Sequence, residues 1–412
     1  MTLFVDARLI DGTGADPVDR AWLRVEGETI TGIGAGTPPA PAADETVVDC
    51  AGRTLMPGLI DAHAHLAATT AALPWTLPPV EQVLRTAQEL ADTLADGFTS
   101  VRDAAGLDAG FKRAGDVAGE LVRGPRLFVA NGSLSQTGGH GDIRDADALG
   151  PAPYHPGGWS DSLVVDGPDR VRWATREVLR RGADQVKVMA GGGCISPTDP
   201  LDSTQFTVDE LRAAVTEAEA RGTYVMAHTY IPESMHRCMD AGVRTLEHGN
   251  MLDEGVAARM AATGTYLVPT LVTYELLAED GRRLGYPGPM IDKIEEARRT
   301  SLEALRIAHA AGVRIGSGAD VLGGHQRHKA RELTLKARIL GPMGAIVAST
   351  KTNAEILRRP DLGVLRRGAT ADLLLVDGDP LADIAVLERR DHIHLVVLGG
   401  RTAVDRQSRQ ED

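Results

Sequence analysis

Two histidines stand one residue apart, directly after an apolar run, in Leu59-Ile60-Asp61-Ala62-His63-Ala64-His65. Because side chains alternate between the two faces of a strand, His63 and His65 would point the same way. Imidazole is the commonest metal ligand in proteins, and two imidazoles on one face can converge on one ion. A chance pair on a solvated strand or turn is the alternative. The stretch predicts a strand that ends in part of a metal site, which the rest of the chain would have to complete.

The composition fits a large enzyme. The chain has 412 residues, of which 43% are hydrophobic, enough for one large α/β barrel and a smaller appended domain. Its net charge of −13 argues against sequence-independent binding of nucleic acid, which depends on Lys and Arg neutralising phosphates. We therefore expect a small-molecule substrate and no nucleic-acid partner.

The sequence carries no signal for export or membrane insertion. No apolar run is long enough to span a bilayer, and the N-terminus lacks the basic region and long apolar stretch of a signal peptide. Cys50, Cys194 and Cys238 are odd in number and widely spaced, so they imply no disulfide framework. We expect a cytoplasmic enzyme that has no membrane partner and forms a homo-oligomer.

The middle of the chain alternates short β-like runs with helical stretches, which is the pattern of parallel β/α units. Amphipathic helices are predicted over residues 80–95, 169–181, 208–221 and 289–311. Eight such units make a (β/α)8 TIM barrel, whose active site lies at the carboxyl ends of the strands. The eight predicted strands are residues 54–62, 98–102, 126–130, 185–189, 223–227, 245–247, 266–269 and 313–316.

Both ends of the chain read as short strands with turn signals and show no helical period. We expect them to form one small β-sandwich domain from residues 1–55 and 360–412. The barrel would then comprise residues 56–359. The predicted fold class is α/β, a barrel with a composite β-sandwich.

Six side chains suited to metal binding or acid–base chemistry stand at the predicted strand ends. Each has a plainer interpretation: a strand-end histidine can simply be hydrogen-bonded, Lys187 can reach water or pair with an acid, and Asp320 can cap the next segment. Six coincidences at strand ends are less plausible than one metal site. The set is His63, His65, Lys187, His228, His248 and Asp320.

Lys187 calls for a separate explanation, because only six of the 44 basic residues are Lys and this one lies in an apolar strand. Arg stays protonated in proteins, whereas Lys can become neutral in suitable surroundings.

This constellation resembles the amidohydrolase superfamily over nearly the whole chain. The resemblance implies two divalent metal ions, one held by His63, His65 and Asp320 and the other by His228 and His248. It implies that Lys187 is an N6-carboxylysine, a carbamate formed with CO2, that bridges them. Histidine and oxygen ligands suit Zn2+ and also accept Mn2+ or Co2+. A hydroxide between the ions would attack an amide carbonyl, while Asp320 moves the proton to the leaving amine.

Two loops indicate the branch. Residues 133–142 carry His140 on a Gly-rich loop, and residues 191–200 follow the strand of Lys187. They look like the metal-dependent prolidase and imidazolonepropionase-like group, nearest to bacterial Xaa-Pro and Xaa-amino-acid dipeptidases. In that branch, the residues that match His140 and Tyr230 lie beside the substrate and polarise or orient it, so both are candidate catalytic and substrate-binding residues.

The predicted reaction is hydrolysis of an amide that releases an amino acid, from an Xaa-Pro dipeptide or an N-acyl amino acid. Arg327 and His328 are candidates to bind the substrate carboxylate, with a solvated loop as the alternative. Ala319, Cys194, and His325 with Gln326 depart from the family pattern in segments that line the pocket. The alternatives are a xenobiotic or mycotoxin amide, a carbamate, a urea or a cyclic amide as substrate, then a decarboxylase or isomerase, and last a barrel without catalysis. Cys194 as a nucleophile is disfavoured, because no Cys–His signature adjoins it.

Overall fold

A computed structural model describes residues 1–72, 77–116, 121–150 and 162–406. The last six residues of the predicted composite domain, 407–412, therefore lie outside the described residues, as do 73–76, 117–120 and 151–161 of the predicted barrel. The described strands form three sheets of eight, seven and three strands.

Strands and helices alternate through the middle of the chain. The strands are β1 Thr2–Leu9, β2 Val18–Glu26, β3 Thr29–Ala35, β4 Thr46–Asp49, β5 Thr54–Pro57, β6 Leu59–Ala64, β7 Phe98–Asp103, β8 Arg126–Val129, β9 Ser133–Ser135, β10 Ser162–Val164, β11 Val186–Met189, β12 Val225–Thr229, β13 Thr245–His248, β14 Tyr266–Val268, β15 Arg314–Ile315, β16 Leu373–Val376, β17 Ile393–Leu398 and β18 Arg401–Asp405. The α-helices are α1 Pro79–Ala95, α2 Ala109–Asp116, α3 Pro168–Arg180, α4 Val208–Ala220, α5 Pro232–Ala241, α6 Glu254–Thr263, α7 Leu271–Asp280, α8 Gly288–Ala310, α9 Arg331–Val347 and α10 Asn353–Ile356.

The four predicted helices are confirmed, each end within one residue of its predicted position, as α1, α3, α4 and α8. Their buried residues recur at the three- and four-residue spacing of one helix face. Thr207 starts α4 with a capping box, in which its side chain and that of Glu210 satisfy each other's backbone N–H groups. No helix in the described part of the chain is both long and apolar enough to cross a membrane.

Strands from both termini join one sheet, in the order β18-β17-β16-β5-β1-β2-β3, with β4 beside β1. The link between the two ends of the chain is β5, which is parallel to β1 and antiparallel to β16. The two ends of the chain are therefore combined in one β-structure. The two-layered sandwich remains a prediction.

One predicted strand is wrong in its extent. Residues 54–62 form two strands in different sheets: β5 pairs with the terminal strands, whereas β6 pairs with β7. The chain changes sheet at Gly58, whose N–H donates to Asp372 O at 2.9 Å, while the next N–H, of Leu59, donates to Gly97 O at 3.0 Å. A Cβ at Gly58 would lie 2.0 Å from Thr99 Oγ1. An unbroken apolar run does not reveal such a transfer, because strands of both sheets are buried here.

Parallel strands occur at the other seven predicted positions, as β7, β8, β11, β12, β13, β14 and β15. They belong to two sheets, one with the order β10-β9-β11-β12-β13-β14-β15 and a smaller one with the order β6-β7-β8. β9 and β10 were not predicted, because a three-residue strand such as Ser133–Ser135 has too little alternation to stand out. Beyond β15, Ala62 N–H donates to Ser317 O at 2.9 Å and Asp320 N–H to His63 O at 2.8 Å. These bonds bring the ends of β6 and β15 together.

Candidate active site

The six predicted ligands lie together at the carboxyl ends of the parallel strands. β6 carries His63 and leads into His65, β11 carries Lys187, and β12 and β13 carry His228 and His248. Asp320 follows β15. All five of the basic side chains are buried, and the Asp320 side chain is 19% exposed. They line one cavity, together with His140 and Tyr230.

One group of three has the geometry of a metal site. Nε2 of His65 lies 3.3 Å from Oδ1 of Asp320, and Nε2 of His63 lies 3.6 Å from the same oxygen. One ligand atom from each of the three residues falls within 4.8 Å of the other two. Two imidazole nitrogens and a carboxylate oxygen are a donor set that suits Zn2+.

The remaining predicted ligands adjoin this group. Lys187 Nζ lies 3.2 Å from His63 Nε2, and His248 Nδ1 lies 3.9 Å from Asp320 Oδ2. The rings of His228 and His248 are 4.6 Å apart between centroids. Burial lowers the pKa of the Lys187 amine to about 8, so the neutral form is far more accessible near neutral pH than it is for an ordinary lysine.

Each of the four histidines uses one ring nitrogen for a bond to another group of the protein. These contacts are His63 Nδ1 to Glu247 Oε2 at 2.8 Å, His65 Nδ1 to Ala105 O at 2.9 Å, His228 Nε2 to Gly192 O at 2.8 Å and His248 Nδ1 to Thr270 Oγ1 at 2.8 Å. Metal-binding histidines almost always donate their second nitrogen in this way, which fixes the tautomer and the ring orientation. The donor set and its supporting bonds fit metal ions.

The backbone at two of these positions is unusual. His248 has φ +70° and Asp320 has φ +54°, both in the left-handed region that non-glycine residues seldom occupy. Such conformations persist where the surrounding structure enforces them, and they concentrate at functional sites.

A buried ion pair behind His63 was not identified from the sequence. Glu247 accepts from His63 on one side and from the Arg102 guanidinium, at 2.9 Å and 3.0 Å, on the other. Arg102 also donates to Ala62 O at 2.6 Å and to Thr245 Oγ1 at 3.1 Å. A charged residue inside the fully buried strand Phe98–Asp103 is the signal that would have pointed to Arg102.

Loops form the opposite side of the cavity. The His140 ring stacks on His228 with 4.3 Å between centroids, and its Nδ1 lies 2.9 Å from Ser196 Oγ. Burial lowers the pKa of His140 to about 4, so its ring is neutral. The loop that carries Ser196 is attached to α8, because Lys293 Nζ donates to Ser196 O at 2.9 Å and to Asp199 O at 3.1 Å.

Tyr230 lies over the second pair of histidines, 4.8 Å from the His228 ring and 5.5 Å from the His248 ring. Its hydroxyl accepts from Tyr274 at 2.9 Å and lies 3.5 Å from Cys194 Sγ. The contact with Tyr274 was not predicted from the sequence. Burial raises the pKa of the Cys194 thiol to about 12, which disfavours the thiolate that a nucleophile requires.

Arg327 and His328 are not brought to this cavity: neither is among its described lining residues. They lie in a 3-10 turn, Gly323–His328, where Arg327 is exposed and its Nε donates to His328 Nε2 at 3.0 Å. Their predicted contact with a substrate carboxylate has no support from this placement. Gln326 does reach the site, through a 3.0 Å bond from Nε2 to His65 O.

Comparisons with known proteins identify the family. The model of the amidohydrolase family matches residues 54–403. A crystal structure described as an amidohydrolase is 42% identical, with a TM-score of 0.94, and the alignment covers 98% of this chain and 99% of that one. A crystal structure of a prolidase complexed with N-methylphosphonate-L-proline is 39% identical, with a TM-score of 0.93 and coverage of 98% and 100%.

The curated relatives include ochratoxinase from Aspergillus niger, which is 31% identical over 421 aligned positions. The alignment covers 97% of this chain and 86% of the relative. Family match, overall fold and site geometry point the same way. The chain belongs to the amidohydrolase family, with prolidases among its structural neighbours, and is a hydrolytic enzyme that acts on carbon–nitrogen bonds.

Proposed function

We propose that this enzyme is a binuclear metal-dependent hydrolase that releases an amino acid from an Xaa-Pro-type dipeptide or an N-acyl amino acid. The observation that carries the proposal is the convergence of the six ligand side chains, with a supporting bond behind each histidine. Likeness to a prolidase and to ochratoxinase supports the amide bond as the target.

In the proposed site, His63, His65 and Asp320 would hold one ion, and His228 and His248 would hold the other. Lys187, once carboxylated by CO2, would supply oxygen ligands to both, and its lowered pKa makes the neutral amine that reacts with CO2 more accessible. Zn2+ is the first candidate, with Mn2+ and Co2+ as alternatives. When bound, such ions lower the pKa of water to give a nucleophile and polarise a carbonyl as Lewis acids.

The chain's own residues then manage protons and orientation. Asp320 is the proposed general base and acid. Burial alone would raise the pKa of its carboxyl, but the hydrogen bond to His65 and the nearby His248 outweigh this and lower the pKa, so the carboxylate is ionised. It would take a proton from the attacking water and deliver it to the leaving amine. His140 and Tyr230 would orient the scissile amide.

A second candidate substrate class has its own support. Among the described residues that line the cavity there is no arginine, and the one lysine is Lys187. The described lining also includes four aliphatic side chains, Ile143, Ile195, Leu277 and Leu322. A xenobiotic or mycotoxin amide, carbamate, urea or cyclic amide without a free carboxylate would suit such a wall. No separate acid–base set for decarboxylation or isomerisation, and no missing ligand of an inactive scaffold, is found among the described residues.

The larger architecture is part of the proposal. We interpret the parallel strands as a (β/α)8 barrel, closed where β6 meets the segment after β15, over residues 56–359. Residues 1–55 and 360–412 would form the composite β-sandwich. A cytoplasmic location and a homo-oligomeric state remain predictions from the sequence.

The test is a screen of metal-loaded protein against Xaa-Pro dipeptides, their C-terminal amides, N-acyl amino acids and neutral amides or carbamates. Preference for the free dipeptides supports the first class, and preference for the neutral compounds supports the second. Elemental analysis should give close to two ions per chain. Lys187→Ala should lose metal, because each ion would lack its bridging ligand. Full metal content and normal turnover in that variant would remove the carbamate from the proposal.

A further inference from the structure

A series of hydrogen bonds connects the proposed ligand His248 to Tyr230 through Thr270 and Tyr274. His248 Nδ1 lies 2.8 Å from Thr270 Oγ1, and the Tyr274 hydroxyl donates to Tyr230 at 2.9 Å. Between these two bonds, burial raises the pKa of the Tyr274 hydroxyl and a hydrogen bond from Thr270 opposes that rise. Thr270, Tyr274 and Tyr230 are all buried. Thr270 occupies the N-cap position of α7 without a capping bond from its side chain, so its hydroxyl serves this series of hydrogen bonds instead.

The number of protons on each group determines which group donates in each of these hydrogen bonds. A neutral imidazole has one N–H, and each hydroxyl has one proton to donate. If His248 binds metal through Nε2, its proton is on Nδ1 and points at Thr270. Thr270 then donates to Tyr274, and Tyr274 donates to Tyr230.

The Tyr230 proton is the one left over. Its oxygen already accepts from Tyr274, and the nearby thiol of Cys194, a weak donor, lies at 3.5 Å. Tyr230 lines the cavity beside the rings of His228 and His248. A hydroxyl whose oxygen accepts from the protein can direct its own proton at an acceptor in the cavity.

We propose that Thr270 and Tyr274 are positioning residues that fix the Tyr230 hydroxyl as a hydrogen-bond donor to an oxygen of the substrate. The inference rests on the proposed function, since it takes His248 as a ligand through Nε2 and places the amide beside Tyr230. Without these hydrogen bonds, the Tyr230 hydroxyl proton can turn toward Tyr274 or Cys194, and the site loses a preorganised donor.

The first experiment compares Tyr274→Phe with Tyr266→Phe. Both changes delete one buried tyrosine hydroxyl, but that of Tyr266 is bonded to Arg314, outside this series of hydrogen bonds. Metal content is measured by elemental analysis, and kinetic constants are measured with the best substrate of the screen. Calorimetry measures the affinity for N-methylphosphonate-L-proline, whose phosphonate oxygens accept hydrogen bonds.

We expect Tyr274→Phe to keep its metals and KM while kcat and phosphonate affinity fall about 3- to 10-fold, the scale of one hydrogen bond. Tyr266→Phe should match the wild type in all of these. At full metal occupancy, Thr270→Val should show the same fall in kcat and phosphonate affinity as Tyr274→Phe, together with weaker metal binding, because Thr270 also supports His248. Thr270→Ser, which keeps the hydroxyl, should restore the wild-type values. These threonine variants decide the matter if Tyr274→Phe fails to fold.

A double-mutant cycle separates positioning from a general packing effect. Once Tyr230→Phe has removed the donor, adding Tyr274→Phe should lower kcat no further. Additive losses would contradict the proposed positioning role of Thr270 and Tyr274 but leave the proposed hydrolase function intact. Wild-type kcat and phosphonate affinity in Tyr274→Phe would do the same. If the wild type binds two metals but not this phosphonate, kcat with the best substrate of the screen decides between the two outcomes. Absence of metal and of amide hydrolysis in the wild type would instead refute the proposed function, and with it the positioning role of Thr270 and Tyr274.

Discussion

The two sides of the candidate site are built in different ways. On the strand side, His63, Glu247 and Arg102 come from β6, β13 and β7 and are fully buried. On the loop side, His140 and Ser196 come from the segments after β9 and β11 and are held by bonds such as those from Lys293. The strand side holds the proposed metal ligands, and the loop side holds the groups that would meet the substrate.

The difference lies in how position is fixed. Strand register sets where His63 and Glu247 point, and the Arg102 pair satisfies the carboxylate from behind. The loop side depends on individual side-chain-to-backbone bonds, which can change without disturbing the sheet. Barrel-like enzymes vary specificity through such loops while the strands preserve the chemistry. Substitutions should therefore affect the chemistry and metals on one side, and substrate preference on the other.

The largest effect is expected at the proposed proton carrier. Asp320→Asn should lower kcat by about 10²–10⁴-fold, because an amide cannot accept and return the proton. Loss of a ligand oxygen charge would add to this, so turnover is compared at measured metal content. Near-normal kcat with both metals bound would exclude Asp320 as the base.

On the strand side, metal binding can be weakened by changing a residue that supports a proposed ligand. Glu247→Gln removes the charge that orients His63 and balances Arg102, and metal affinity should fall about 10- to 100-fold. Competition with a chelator measures this directly. Glu332→Gln is the matched control, because Glu332 is also a buried carboxylate but pairs with Lys336. An equal loss of metal affinity in both variants would show a general effect of burial rather than orientation of His63.

The loop side should give the smallest effect. Ser196→Ala removes the bond to His140 Nδ1 and should lower kcat/KM about 2- to 10-fold, the scale of one net hydrogen bond, with the metals unaffected. Ser301→Ala, which deletes a hydroxyl bonded within α8, is the control. Metal loss in Ser196→Ala would contradict the division between the two sides.

Local elements and the kinds of residue at their ends could be predicted from the amino-acid sequence. Helix periodicity located α1, α3, α4 and α8, because it is a property of neighbouring residues. The apolar runs located strands, and the residues at their ends could be recognised as a ligand set, because parallel strands present their carboxyl ends on one side.

Which side chains contact each other could be seen only in the folded protein. Arg102 and Glu247 are 145 positions apart, and Tyr230 and Tyr274 are 44 apart, so no local pattern links them. The transfer between sheets at Gly58 and the exposed position of Arg327 likewise depend on the path of the chain. The periodicity that predicts an element depends only on residues inside that element. Contacts between elements depend on register, loop path and packing, which arise only when the whole chain is folded.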